Sequence, residues 1–377
     1  MQPPPPSAQV DGAAPGETHR FPCPACGSDL RYRPGHDSLV CAHCGAQREI
    51  PAAAPWSEAK ALAELDFETA RRGALGDSQM EETRVAHCDS CGAEVEFDAA
   101  IHARECPFCA APLVADTGLH RHIKPRALLP FRLDEEAARK AMIDWLGRLW
   151  FAPNGVQRHA RKGRRLSGLY VPCWTFDADT RTTYRGQRGD DYWTTERRME
   201  DGKMKTVRVQ KTRWTAVSGR VARDFDDVLA PATRSLPPEH ADALEPWDLS
   251  ALTPYRPDYL AGFRAEAYQI PLDDGYGIAR EKMDAIIRRD VLRDIGGDRQ
   301  RISALDTAVA DVTFKHVLLP VWMAAYRYRG RAYRFVVNAR TGAVAGERPW
   351  SAPKIAAAVL AALILAGAAF WLMSRGS

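Results

Sequence analysis

The chain has 377 residues, 45% of them apolar and ten of them Trp, which sets aside a wholly disordered polymer and leaves room for two or three domains. Its 52 basic and 48 acidic residues leave a formal charge of +4, too small to point to any particular partner. Nine cysteines are the unusual feature, and eight of them fall into two matched sets.

Residues 1–18 are rich in Pro and Ala and are expected to be disordered. The first cysteine set lies in a module over 19–51. Cys23 and Cys26 make one C-x2-C knuckle and Cys41 and Cys44 the next, with fourteen residues between them. A linker over 52–82 should carry a short helix from Ser57, its cap, to Ala70, with Leu62 and Leu65 as apolar points. The second module, over 83–114, repeats the pattern with Cys88, Cys91, Cys106 and Cys109. Each of these lies sixty-five positions after its counterpart, so the spacing predicts a duplicated unit.

The chemistry explains the spacing. A tetrahedral Zn²⁺ needs four soft donors at about 2.3 Å. Two residues between paired cysteines let one tight turn aim both sulfurs at a single point. Gly27, Gly45 and Gly92 follow the second cysteine of their knuckles, where positive φ turns backbone N–H groups toward the thiolates; Ala110 departs from this. About thirty residues are too few to fold on an apolar core alone, so the metal is expected to supply on the order of 10 kcal/mol. A disulfide framework and unrelated cysteines are the rival readings. Four thiolates per ion would leave no open position for catalysis, and His43 and His87 would not be ligands. Two Zn²⁺ per chain are therefore expected. Cys173, between Pro172 and Trp174, reads as a core residue.

The body spans 124–350. Leu128 to Phe131 reads as a strand. A helix from Asp134 to Leu149 should place Ala138, Ala141, Met142, Trp145, Leu146 and Leu149 on one face. A basic loop follows, with Arg158, His159, Arg161, Lys162, Arg164 and Arg165, and reads as solvated. Strand character resumes at Leu169 and continues in period two to Tyr184. Asp201-Gly202 predicts a hairpin joining strands over 192–197 and 206–215. The order then recurs: a strand over 265–271, a helix over 276–292, Pro320-Val321-Trp322 echoing Pro172-Cys173-Trp174, and a hairpin around Gly330. This predicts an α+β fold with antiparallel sheet, its repeats over 124–219 and 260–348. Asp224 to Asp227 and Asp294 to Asp298 read as acidic turns, and His120 and His122 as surface residues.

Residues 355–373, opening on Ile355 and closing on Met373, carry no charge and span roughly 28 Å as a helix, close to a bilayer's hydrocarbon thickness. Trp371 sits where an aromatic belt would lie. A single C-terminal transmembrane helix is expected. No N-terminal export signal is legible, and thiolate zinc sites need a reducing compartment, so the soluble part is expected on the cytoplasmic face of the inner membrane. The chain has no phosphate-binding G-x-x-x-x-G-K-[ST] loop, no H-E-x-x-H and no G-x-S-x-G, and nothing pairs a nucleophile with a base. No catalytic residue is assigned and no enzymatic activity is expected.

The chain resembles the bacterial membrane-anchored double zinc-ribbon proteins that accompany phage-shock-type and flotillin-like (SPFH-domain) proteins. The residues that carry this are Phe21 to Gly27, Cys106 to Cys109, Leu128 to Phe131, Gly168 to Asp177, Tyr259 to Gly262, Leu318 to Trp322, Asn338 to Gly342 and the anchor. The resemblance implies an adapter that recruits a protein partner to the membrane, under envelope stress. Such proteins also carry the label primosomal protein N′ (replication factor Y), a superfamily II helicase, which shares the knuckles but has an ATP-binding loop that this chain lacks. Nucleic-acid binding linked to replication is the alternative. The second module opposes it with Asp89, Glu94, Glu96, Asp98 and Glu105, whereas the first has Arg20, Arg31, Arg33 and Arg48.

Overall fold

The computed structural model describes residues 21–52, 54–89, 93–96, 103–106, 111–114, 119–151, 166–200, 203–328, 331–347 and 350–375. The Pro/Ala-rich start, the basic loop from Arg158 to Arg165, the Asp201-Gly202 turn and Gly330 lie outside these residues.

The first module is a three-stranded antiparallel sheet, β1 (Leu30–Tyr32), β2 (Ser38–Cys41) and β3 (Gln47–Glu49). The expected linker helix is broken in two. α1 (Pro55–Leu62) and α2 (Phe67–Arg71) flank β4 (Leu65–Asp66). The break has a tertiary cause, because Leu65 pairs with Phe314 in the body sheet and is buried there. Asp66 then caps α2 by accepting from the Thr69 amide at 2.7 Å. The second module contains β5 (Met80–His87), β6 (Glu94–Glu96), β7 (Ala103–Glu105), β8 (Pro112–Val114) and β9 (Leu119–Ile123). His122 on β9 is buried, correcting its reading as a surface residue; Tyr268 packs edge-on against its ring.

The body opens with β10 (Ala127–Leu128) and α3 (Glu135–Arg148), which Asp134 caps through the Ala137 amide at 2.8 Å. β11 (Ser167–Glu200) and β12 (Lys203–Pro231) form an antiparallel pair far longer than the hairpin expected over 192–215. After α4 (Pro238–Ala243), β13 (Thr253–Pro254), β14 (Arg264–Ala265) and α5 (Leu272–Ile295), β15 (Arg299–Tyr328) runs back along β11. β16 (Arg331–Asn338) and β17 (Val344–Gly346) complete the sheet, and α6 (Ala352–Arg375) ends the described chain. The fold is α+β. Its sheet is mixed, because β10 pairs parallel to β15 and β14 parallel to β11.

At about 3.3 Å per residue, the 34 residues of β11 run roughly 110 Å. Beyond the Gly189–Arg299 pair β15 is absent, and the last eleven residues of β11 pair with β12 alone. This free hairpin extends about 35 Å further. Among the described residues its exposed large apolar side chains are Tyr192, Trp193, Met199 and Met204, with Met199 and Met204 cross-strand partners near the tip.

At the other end the sheet is covered on both faces. Successive strand residues point opposite ways. Tyr170, Trp322, Phe335 and Val337 pack against Leu30, Tyr32 and Leu39 of the first module and Ala138, Met142 and Leu146 of α3. Their neighbours Leu169, Val171, Val321, Met323 and Val336 pack against Cys88, Val95 and Cys106 of the second. The two cysteine modules thus clasp one end of the sheet from opposite sides. Farther along, Ala279, Met283, Ile287 and Val291 of α5 cover Trp174, Phe176, Tyr184 and Phe314.

The two Pro-x-Trp motifs occupy matching places. Trp322 donates its indole N–H to the carbonyl of Leu133, two residues before α3, at 2.8 Å. Trp174 donates to that of Ile270, two residues before α5, at 3.0 Å. Each tryptophan therefore bonds the entry to a helix that is distant from it in the chain. Gly275 permits this for Trp174, since a Cβ there would lie 2.3 Å from the indole ring.

Candidate metal centre

The four cysteines of the first module converge. Cys23, Cys26, Cys41 and Cys44 bring their sulfurs within 4.8 Å of one another. The Cys23–Cys44 and Cys26–Cys41 Sγ separations are 3.6 and 3.5 Å. A tetrahedron with metal–sulfur bonds of about 2.3 Å has edges of about 3.8 Å, so the cluster is near the size that one ion requires. His43 and His87 are not among its members.

Local backbone explains the convergence. The Cys23 amide donates to Ser28 O and the Cys41 amide to Ala46 O, at 2.6 and 2.8 Å. Gly27 and Gly45 close each turn back on its first cysteine with φ of +77° and +76°, the left-handed conformation anticipated from their position. The Ser28 backbone and side chain draw the Cys26 thiol down to about 6. At Cys44 the Ala46 backbone favours the thiolate, but the sulfurs of Cys26 and Cys23 outweigh it and push the thiol up to about 12. Four sulfurs this close repel one another when ionised, and a bound cation removes that penalty.

In the second module Cys88 and Cys106 are buried, while Cys91 and Cys109 lie outside the described residues. Its knuckles carry the same closing hydrogen bond. The Cys88 amide donates to Ala93 O and the Cys106 amide to Ala111 O, at 2.8 and 2.7 Å. In all four knuckles, the cysteine amide meets the carbonyl five residues on.

Neither module hangs free. The Tyr32 amide donates to Ala261 O at 2.8 Å, the Gly35 amide to Phe131 O at 2.9 Å, and Arg48 pairs with Asp258 at 3.2 Å. The stem of Arg31 packs over Gly262. Two of the first module's arginines thus face the body. On the second module, the Ala267 amide donates to Glu94 O at 3.2 Å and Val95 bridges Glu266.

Glu266 is a buried carboxyl that accepts from the Ser235 hydroxyl, while its Oε2 has no hydrogen-bond partner among the described residues. Burial pushes it up to about 8, against the pull of Ser235 and Thr233. The unfolded chain ionises this group near 4.5, so between there and about 8 the folded protein binds the extra proton. Stability conferred by the neutral form is full below that window and lost as pH rises through it. Glu266→Gln is expected to melt like the native chain near pH 4.5 and a few degrees higher above pH 8. Thermal melts across that range would show a widening gap; a constant difference would contradict the assignment.

A second group of ligand-type side chains, Glu64, Asp177 and Asp227, gathers where the β11 register shifts. Lys315 fills it, donating to Glu64 at 2.6 Å and approaching Asp227 at 2.8 Å. One cation thus faces three carboxyl groups, and burial pushes Asp177 up to about 7, so the group is an internal cluster built around Lys315. Asp227 lies in β12, correcting the acidic turn expected there.

No protein-family model matches the chain, and no solved structure matches it. The chain is 26% identical over 339 residues to the uncharacterized protein YdjG of Bacillus subtilis (strain 168), over 89% of this chain and 92% of that one.

Proposed function

We propose that this protein is a non-enzymatic, membrane-anchored zinc-ribbon adapter that recruits a protein partner to the cytoplasmic face of the inner membrane. The observation that carries the reading is the layout of the long sheet. A helix apolar enough to cross a membrane leaves one end, and an uncovered hairpin exposing Tyr192, Trp193, Met199 and Met204 forms the other. Exposed aromatic and Met side chains on a protruding ribbon suit protein recognition. A flotillin-like or phage-shock-type partner follows from the family resemblance.

Zinc is the ion proposed, two per chain, with Cys88, Cys91, Cys106 and Cys109 holding the second. Supporting this are the all-sulfur donor set of the first site and the closing hydrogen bond common to all four knuckles. The role is structural, with each metal stiffening the module that clasps the sheet. The body is read as duplicated, on the reciprocal Trp174 and Trp322 contacts. Nucleic-acid recognition is disfavoured by the engagement of Arg31 and Arg48 with the body.

The experiment is crosslinking in intact cells. The native chain should yield a discrete protein adduct, and the triple variant Trp193→Ser, Met199→Ser, Met204→Ser should lose most of it while staying folded and in the membrane. An adduct unchanged by the triple variant would remove the hairpin from the reading.

A further inference from the structure

α6 leaves the body at a corner assembled from two distant parts of the chain. Trp350 and Ser351 lead into the helix, and Trp150 and Phe151 follow the end of α3. The Ser351 amide donates to Phe151 O at 2.8 Å, and Lys354 Nζ donates to Trp150 O at 3.1 Å. The Phe151 and Trp350 rings lie 6.4 Å apart. Although the backbone is tied down, both tryptophans stay open, Trp150 at 76% and Trp350 at 59% exposure. Trp56 is as exposed as Trp150, so exposure alone marks nothing. What distinguishes Trp150 is its placement, pinned to the root of a helix whose apolar stretch begins at Ala352.

An indole is an apolar plate with one N–H donor. It gains most where hydrocarbon meets water, which is why Trp collects at membrane interfaces. Trp350 would reach that level simply by preceding a spanning helix. Trp150 reaches it because the fold carries it there. Arg148, exposed one turn back, and Lys354 add cations at the level of lipid phosphates.

We infer that Trp150, Phe151 and Trp350 form a seat that sinks into the headgroup layer of the bilayer that α6 crosses. This rests on the reading of α6 as a membrane anchor. The occupant is the bilayer interface, because the patch is continuous with the spanning helix. The body is then held to the membrane at two points instead of swinging on one tether. Since β17 leads into α6 from beside Phe335, and β15 and β11 run from there toward Glu200, the seat holds the hairpin tip away from the lipid.

The test uses the full chain, labelled with fluorotryptophan and reconstituted in phosphatidylcholine–phosphatidylglycerol nanodiscs. Some of the lipid carries a nitroxide just below the headgroup in both leaflets. Single Trp→Phe variants assign the fluorine resonances, and ascorbate reduction of the nitroxide gives the reference. The Trp150, Trp350 and Trp371 signals should broaden several-fold, and Trp193 at the hairpin should not. Broadening of Trp371 with a sharp Trp150 would overturn the seat while leaving the anchor in place. Sharp signals from both Trp371 and Trp150 would overturn the anchor, and the seat with it.

Discussion

Cys41→Ser is expected to cost the protein one zinc ion and to loosen far more than the knuckle it belongs to. An apparent binding energy of about 10–16 kcal/mol accompanies a structural zinc site, and three remaining thiols hold only part of it. Cys41 is buried in the same cluster as Leu30, Tyr32 and Leu39, which pack on Tyr170, Phe131 and Trp322. Each buried Leu of this kind contributes about 1.5–3 kcal/mol, so the module draws on docking as well as on metal. Hydrogen exchange should quicken over 21–50, and also over 259–263 and the α3 face that the module covers. The free hairpin beyond Gly189 should be unaffected. Cys88→Ser should act likewise on the opposite face, through Leu169, Val171, Val321 and Met323. The body is thus not indifferent to either module. Elemental analysis alongside exchange would read both effects. Unchanged protection with one equivalent lost would mean that the metal is dispensable to the fold.

Removing residues 352–377 is expected to transfer essentially all of the protein from the membrane to the soluble fraction. The apolar stretch Ala352–Ala369 carries one charge, Lys354, near its start and none of it is buried against the body. Its helix, Ala352–Arg375, has 24 residues, about 36 Å, enough to cross the hydrocarbon layer. A core helix would show buried positions along one face, as α3 and α5 do. Trp150 and Trp350 remain in the truncated chain and should leave at most a weak, salt-sensitive affinity for vesicles. A truncated protein that still pellets with membranes after an alkaline wash would contradict the anchor.

Much of the architecture was legible because its signals are local. The C-x2-C spacing fixes where four sulfurs can meet, and the first set does meet. The 3.6-residue pattern of Ala138, Met142 and Leu146 marks the buried face of α3. What escaped notice depends on distant partners. β11 alternates as expected to Tyr184, but the length of the sheet was hidden because its partners do not: β12 carries an extra residue opposite Phe176–Ala178, and β15 carries one opposite Asp177–Asp179 and another opposite Arg185–Gly186, breaking their period-two pattern. Leu65 looks like a helix residue until Phe314 takes it into the sheet. Asp227 looks like part of a solvated turn because Lys315, which binds it, is far along the chain. Nothing local in the knuckles says that the two modules lie on opposite faces of one sheet. That arrangement follows from alternate residues of β11 and β15, which a one-residue slip would reverse.

The most direct measurement of the adapter reading is affinity capture of the full-length chain from solubilised membranes, with and without nuclease, beside the chain lacking 352–377. A protein partner is expected in fixed ratio, indifferent to nuclease, in the membrane fraction with the intact chain and in the soluble fraction with the truncated one. Capture of nucleic acid with no protein partner, or ATP-driven strand separation by the purified chain, would contradict it.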